Sequence, residues 1–250
     1  MRNVSLFLSL ILAFMIPWEG VIRTGTLGNG SKLMGFVVAA FWLVTVLVTG
    51  RIRKPLPIHL ILYLFVIWNA LSVFWSADPD DTAGHVMTWI QLFLLALIWW
   101  DLYTTEIAVL AGLQAYVLGA YVAIGGAIAN YFTGFQFYDH YERYSPGETN
   151  PDGFGLIMAI GIPLAWYLAL QRRNTKYWNV LRLINYLYIP TALLGIAMSG
   201  TRTALIASLP GMLFGFGSLT RIRLSTRISV FVLLMAAAFI ALPRLQEQKS

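Results

Sequence analysis

The chain has 250 residues, 58% hydrophobic and 11% charged, with a formal net charge of +6 and no cysteine. Its charge content is under half the roughly 25% of a soluble domain, and the missing cysteine excludes disulfides, thiol catalysis and cysteine-held metals. The three histidines, His59, His85 and His140, have no metal-ligand spacing, and no GxxxxGK[ST] phosphate loop is present, so zinc-hydrolase and ATP-hydrolysing classes have no motif to rest on. A positive balance in so apolar a chain fits cytoplasmic loop bias rather than nucleic-acid binding.

Apolar runs of membrane length recur from end to end. They do not alternate as barrel strands would, so the expectation is an all-α polytopic bundle forming a single transmembrane domain over 1–250. The roughly 20 residues needed to cross a bilayer give nine spans, at about 4–18, 33–49, 58–75, 86–103, 107–132, 153–170, 183–199, 203–219 and 228–243. The first follows Arg2, and "MIPWEG" after it lacks a small-x-small cleavage site, so it reads as an uncleaved helix. Between the seventh and eighth runs only "GTR" and its neighbours intervene, which predicts a tight hairpin or a bent segment.

Basic residues set the expected orientation. With the N-terminus inside, Arg2, Arg51, Arg53, Lys54, Arg172, Arg173, Lys176, Arg182, Arg221, Arg223 and Arg227 fall on the cytoplasmic side. Only Arg23, Lys32, Arg143, Arg202, Arg244 and Lys249 fall outside. The positive-inside rule therefore predicts N-terminus in and C-terminus out.

The third outside segment, about 133–152, carries Phe135, Phe137, Tyr138, Tyr141, several acids and Arg143. Aromatics beside carboxylates suit sugar binding, and equally suit an aromatic interface belt. "NPDG" reads as a helix start, with Asn150 or Asp152 as cap and Pro151 in the first turn. Its free N–H groups near Arg143 suit a phosphate. Arg202, between two apolar runs, either snorkels to headgroups or serves a site at the membrane edge. Two arginines on the outer face suit a diphosphate, because each planar guanidinium can make paired charge-assisted bonds and stabilise charge on a departing phosphate without a metal. "DPDD" at 78–81 could hold a divalent cation or form a solvated acidic turn.

These residues resemble a known family. "RYSPGETNPDGFGLIMAIGIPLAWYLAL" is similar to the Arg-x-x-x-Gly…Asn-Pro-Asn stretch of the O-antigen ligase and polymerase family. "AMSGTRTALIASLPGMLF" resembles its Ser-Gly-Ser-Arg-Gly-Ala segment, and "WNALSVFWSADPDDTAGHVMTWIQLFLL" its Leu-Ser-x-x-Trp-Ser-x-Asp-Pro region. The ordered matches cover about 58–216.

The resemblance implies an inverting, metal-independent glycosyltransferase of the bacterial inner membrane that needs no cofactor. Its donor would be an undecaprenyl-diphosphate-linked oligosaccharide, used at the periplasmic face. Its acceptor would be lipid A-core, a growing polysaccharide or a protein. Membrane lipids, not nucleic acid, would be its other partners. By position, Arg143 and Arg202 match the arginines taken to hold the donor diphosphate, with Asn150, Asp152, Ser199 and Thr201 supporting them. Asp152 stands where the family has Asn, and Thr201 and Thr203 where it has Ser and Gly. The family continues into a long periplasmic loop bearing a histidine, and then further spans. This sequence reaches "LPRLQEQKS" where that loop would begin, so an incomplete chain is expected. No residue matches that histidine. His140, off the family position, is the only histidine on the long outside loop; it reads first as a loop histidine hydrogen-bonded to its neighbours and only secondarily as a general base. Two other readings compete: a polysaccharide or lipid transporter (flippase), whose usual internal repeats are not evident, and a non-catalytic remnant keeping only the donor groove.

Overall fold

The computed structural model describes residues 1–21, 29–136, 143–171 and 176–218. Every regular element among them is helical. In chain order these are α1 (Arg2–Met15), continued by a 3-10 turn (Ile16–Val21), α2 (Gly30–Thr49), α3 (Pro57–Ser72) with a 3-10 turn (Val73–Trp75), α4 (Pro79–Leu102), α5 (Glu106–Thr133), α6 (Pro151–Leu170), α7 (Lys176–Ser199) and α8 (Arg202–Ser218). Seven of these segments are long and apolar enough to cross a membrane: the stretches beginning at Arg2, Gly30, Pro57, Pro79, Glu106, Pro151 and Tyr177. The eighth expected run corresponds to α8, and the ninth, 228–243, lies outside the described residues.

Capping chemistry sets several helix starts. Asp78 accepts from the Asp81 N–H at 3.1 Å, with Pro79 as first residue of α4. That cap draws α4 back to residue 79, before the apolar run at 86. Asn150 does the same for α6, accepting from the Asp152 N–H at 2.9 Å ahead of Pro151. Asn150, not Asp152, is therefore the cap, and Pro151 supplies the preset φ of a first turn.

The chain divides into two compact units. The first comprises Met1–Leu12 and Ser31–Gly112. Within it α3 and α4 pack as a pair closed by the 3-10 turn at Val73. Most of their apolar side chains remain exposed, Trp68 at 66% and Trp75 at 62% among them. So large an apolar surface is foreign to water-exposed monomers and suits helices set in lipid.

One end of this unit is polar and tightly bonded. Asp101, near the end of α4, is 2% exposed. Its carboxylate accepts from Arg2 Nη2 at 2.9 Å, the Arg53 N–H at 2.7 Å and Trp42 Nε1 at 3.0 Å. The loop after α2 is held down by the same end of α4: the Arg53 guanidinium lies 3.6 Å from the Trp100 ring centre, and Trp100 Nε1 donates to the Lys54 carbonyl at 3.0 Å. The starts of α1 and α3 and the ends of α2 and α4 thus share one end, as helices crossing back and forth require. His59 is buried here, its Nδ1 accepting from the Leu56 N–H at 3.0 Å.

The second unit comprises Ala13–Gly30 and Leu113–Ser250. Here α7 and α8 both pack chiefly on α6, with few contacts between them. Phe154, Met158 and Tyr188 are fully buried at the centre. Glycines on α6 allow close approach: a Cβ at Gly161 would meet the Tyr188 hydroxyl at 2.1 Å, and one at Gly155 would meet Ser199 Oγ at 2.8 Å. Small residues of this kind drive helix association where lipid removes the hydrophobic contrast. Gln114 and Asn185 add a buried reciprocal amide pair, with bonds of 3.1 and 2.8 Å. Pro163, Pro190 and Pro210 lie inside α6, α7 and α8, as membrane helices tolerate when neighbours satisfy the freed groups.

Candidate functional site

At one end of the second unit meet the 3-10 turn after α1, the end of α5, the start of α6 and the junction of α7 with α8. Gly200, with φ +62, and Thr201 form that junction. Left-handed backbone suits glycine, which ends α7 within one residue and lets α8 begin at Arg202. The expected tight break is therefore a two-residue turn whose flanking helices both lie against α6.

The loop 143–149 is fixed over this end. Asn130 near the end of α5 donates to the Ser145 carbonyl at 2.7 Å and the Gly147 carbonyl at 3.2 Å. Ser145 is buried and its hydroxyl donates to the Thr149 carbonyl. The Tyr144 N–H donates to the Met198 carbonyl at 2.9 Å, tying the loop to the last turn of α7. Gly147 lies so close to the first turn that an added Cβ would meet the Gly20 carbonyl oxygen at 2.7 Å.

So placed, Arg143 reaches across to the α7–α8 junction. Its Nε donates to the Ser199 carbonyl at 2.7 Å and its Nη2 to the Thr201 hydroxyl at 2.8 Å. Nη2 also pairs with Asp152 Oδ1, which accepts in turn from the Thr201 hydroxyl at 3.0 Å. The side chain of Arg143 is 22% exposed and that of Asp152 53%. Its Nη1 makes no hydrogen bond among the described residues.

The structure thus brings four of the expected residues, Arg143, Asp152, Ser199 and Thr201, into one cluster. Ser199 contributes its carbonyl, because its hydroxyl donates to Ile196 within α7 at 2.7 Å. Asn150 acts through the helix start rather than by contact with Arg143. Arg202 follows Thr201 directly as first residue of α8 and is exposed, with no hydrogen bond or ion pair among the described residues. His140 lies outside the described residues, as do Phe137, Tyr138 and Tyr141. Phe135 is 46% exposed, and near it Tyr131 packs edge-on to Tyr144 with ring centres 5.1 Å apart.

Among the described residues no group of three or more His, Cys, Asp or Glu side chains stands close enough to share a metal ion. Asp78 serves as the α4 cap, and His85 Nε2 stands 3.6 Å from Asp81 on an exposed helix face. Asn130 and Asp101 are organising residues that motif reading passed over.

Comparison with known proteins adds no relative: no family model, curated protein or solved structure matches the chain significantly.

Proposed function

We propose that this membrane protein binds the diphosphate of a polyprenyl-linked glycan at its outer face and takes part in moving that glycan to an acceptor, as the resemblance to the O-antigen ligase and polymerase family implies. The reading takes the chain as an inner-membrane bundle of nine spans, N-terminus in and C-terminus out, with the loop before α6 in the periplasm. One observation carries it: Arg143 is anchored to the turn that starts α8, so its Nη1, unbonded among the described residues, and the exposed Arg202 belong to the same small region.

In such a transfer the acceptor hydroxyl oxygen bonds to the anomeric carbon as the bond from that carbon to the diphosphate oxygen breaks. The hydroxyl proton passes to a base, and the negative charge of the leaving group grows. Fixed guanidinium groups are suited to that charge because they need no reorganisation as it develops. The donor's tail would enter laterally from lipid, while exposed Tyr131, Phe132 and Phe135 offer apolar faces to its sugars.

A second reading has its own support. Arg143 is bonded to Ser199 and Thr201 at the end of α7 and paired with Asp152 of α6, which favours a purely structural role as a staple between loop and helices. A photoreactive polyprenyl-diphosphate glycan, with its label beside the diphosphate, separates the two. Labelled peptides from 143–152 and 198–204 support the donor site; labelling confined to other segments defeats it.

A further inference from the structure

Asp152 is the anion paired with Arg143 in the cluster, and its geometry is that of a displaceable group. Arg143 does not depend on it for its position. The guanidinium is held through Nε by the Ser199 carbonyl at 2.7 Å and through Nη2 by the Thr201 hydroxyl at 2.8 Å. Its stem also lies against Gly200, where an added Cβ would sit 3.3 Å from both Cγ and Nε. Asp152 is the more exposed partner, 53% against 22% for Arg143, so it can turn into water while the arginine stays. Its backbone N–H is retained by Asn150 at 2.9 Å, so releasing the carboxylate leaves the start of α6 capped.

We infer that Asp152 is an internal counter-anion that a bound phosphate displaces from Arg143, making it a residue that sets the affinity of the site and its selectivity for doubly charged groups. The inference rests on the anion-site reading above. While Asp152 is paired, Nη2 is occupied and the local charge of Arg143 is cancelled. A phosphate group that reaches Nη1 and Nη2 together gains the planar, two-bond geometry a guanidinium favours. A diphosphate has the charge to outcompete one carboxylate, whereas a singly charged anion gains little over the pair already present. The pairing cancels one of the two arginine charges, which lessens retention of stray monoanions.

The test uses the full chain in lipid nanodiscs with inorganic pyrophosphate as the probe, comparing wild type, Asp152→Asn and Asp152→Glu by titration. Asp152→Asn should bind pyrophosphate about two- to fivefold more tightly, the range an exposed ion pair supplies, and Asp152→Glu should stay near wild type. Equal or weaker binding by Asp152→Asn, with saturable binding by wild type, overturns the displacement and makes Asp152 a scaffold while leaving the anion site standing. No saturable binding in any form defeats the anion site and the displacement with it. Should Asp152→Asn fail to fold, infrared difference spectra of the wild-type chain decide. Pyrophosphate should shift a carboxylate stretch toward its water-solvated position, and binding without that shift overturns the inference.

Discussion

Arg143 Nε donates to the Ser199 carbonyl at 2.7 Å, linking residues 56 apart. Ser199 is the last residue of α7, so the guanidinium satisfies one of the carbonyls every helix leaves open at its end. It also places positive charge at the negative pole of the helix dipole. The same side chain therefore joins loop, turn and helix start in one arrangement. Gly200 fits this approach: its φ is +62, and an added Cβ would crowd the arginine stem at 3.3 Å from Cγ and Nε.

Gly200→Ala should accordingly cost about 1–2 kcal/mol, the penalty of left-handed backbone for an L-residue. Thermal unfolding in detergent measures the loss. Retained stability would mean that the turn relaxes without strain.

Asp101 receives three donors in near-complete burial. Asp101→Ala leaves the Trp42 and Arg53 N–H groups without this acceptor and should destabilise the first unit by about 2–4 kcal/mol. Arg2→Ala should cost less, because the Arg53 N–H and Trp42 Nε1 still donate to the buried carboxylate. Limited proteolysis within 50–56 reports the loosening. Equal effects of the two substitutions would contradict the ranking.

The Gln114–Asn185 pair gives a cycle with a sign. Asn185→Leu alone strands a buried amide and should cost about 1–2 kcal/mol. Adding Gln114→Leu should recover part of that loss, since coupling across membrane helices averages about 0.6 kcal/mol. Unfolding measurements on both single variants and the double variant check it. Strict additivity would mean the amides are solvated separately.

The basic loops and the alternation of helices predict a sidedness that labelling can check. Single cysteines replacing Lys54 and Gln171 should react only with a membrane-permeant maleimide in whole cells. Cysteines replacing Asp80 and Glu148 should react with an impermeant one. Reaction of all four from the same side would refute the span assignment.

The helical class and the order of α1 to α8 were legible because apolar runs of membrane length are a strong pattern. Helix starts were less so: α7 begins at Lys176 rather than 183 and α4 at Pro79 rather than 86. Helices extend beyond the apolar layer into polar stretches, and α4 is started there by a cap and proline that hydropathy does not weigh. The cluster of Arg143 with Asp152, Ser199 and Thr201 was legible as a set of motif residues, but their bonding was not. Ser199 meets Arg143 through its backbone carbonyl, which its residue type does not announce. Asp101 was hidden in the apolar run "LALIWWDLY". An acid inside a span was the available signal, but its partners Arg2 and Arg53 lie 99 and 48 residues away, beyond any local spacing.

In the proposed function Arg202 and Arg143 together hold a diphosphate at the outer face. The decisive measurement is equilibrium binding of a polyprenyl-diphosphate glycan to the chain in nanodiscs, with wild type, Arg202→Lys and Arg202→Ala compared. Arg202→Lys keeps the charge but loses the paired hydrogen bonds, and should weaken binding by about 1–3 kcal/mol. Arg202→Ala should weaken it further, and the chain should prefer the diphosphate lipid to its monophosphate counterpart. Unchanged affinity in Arg202→Ala would place that side chain among the lipid headgroups and contradict the account.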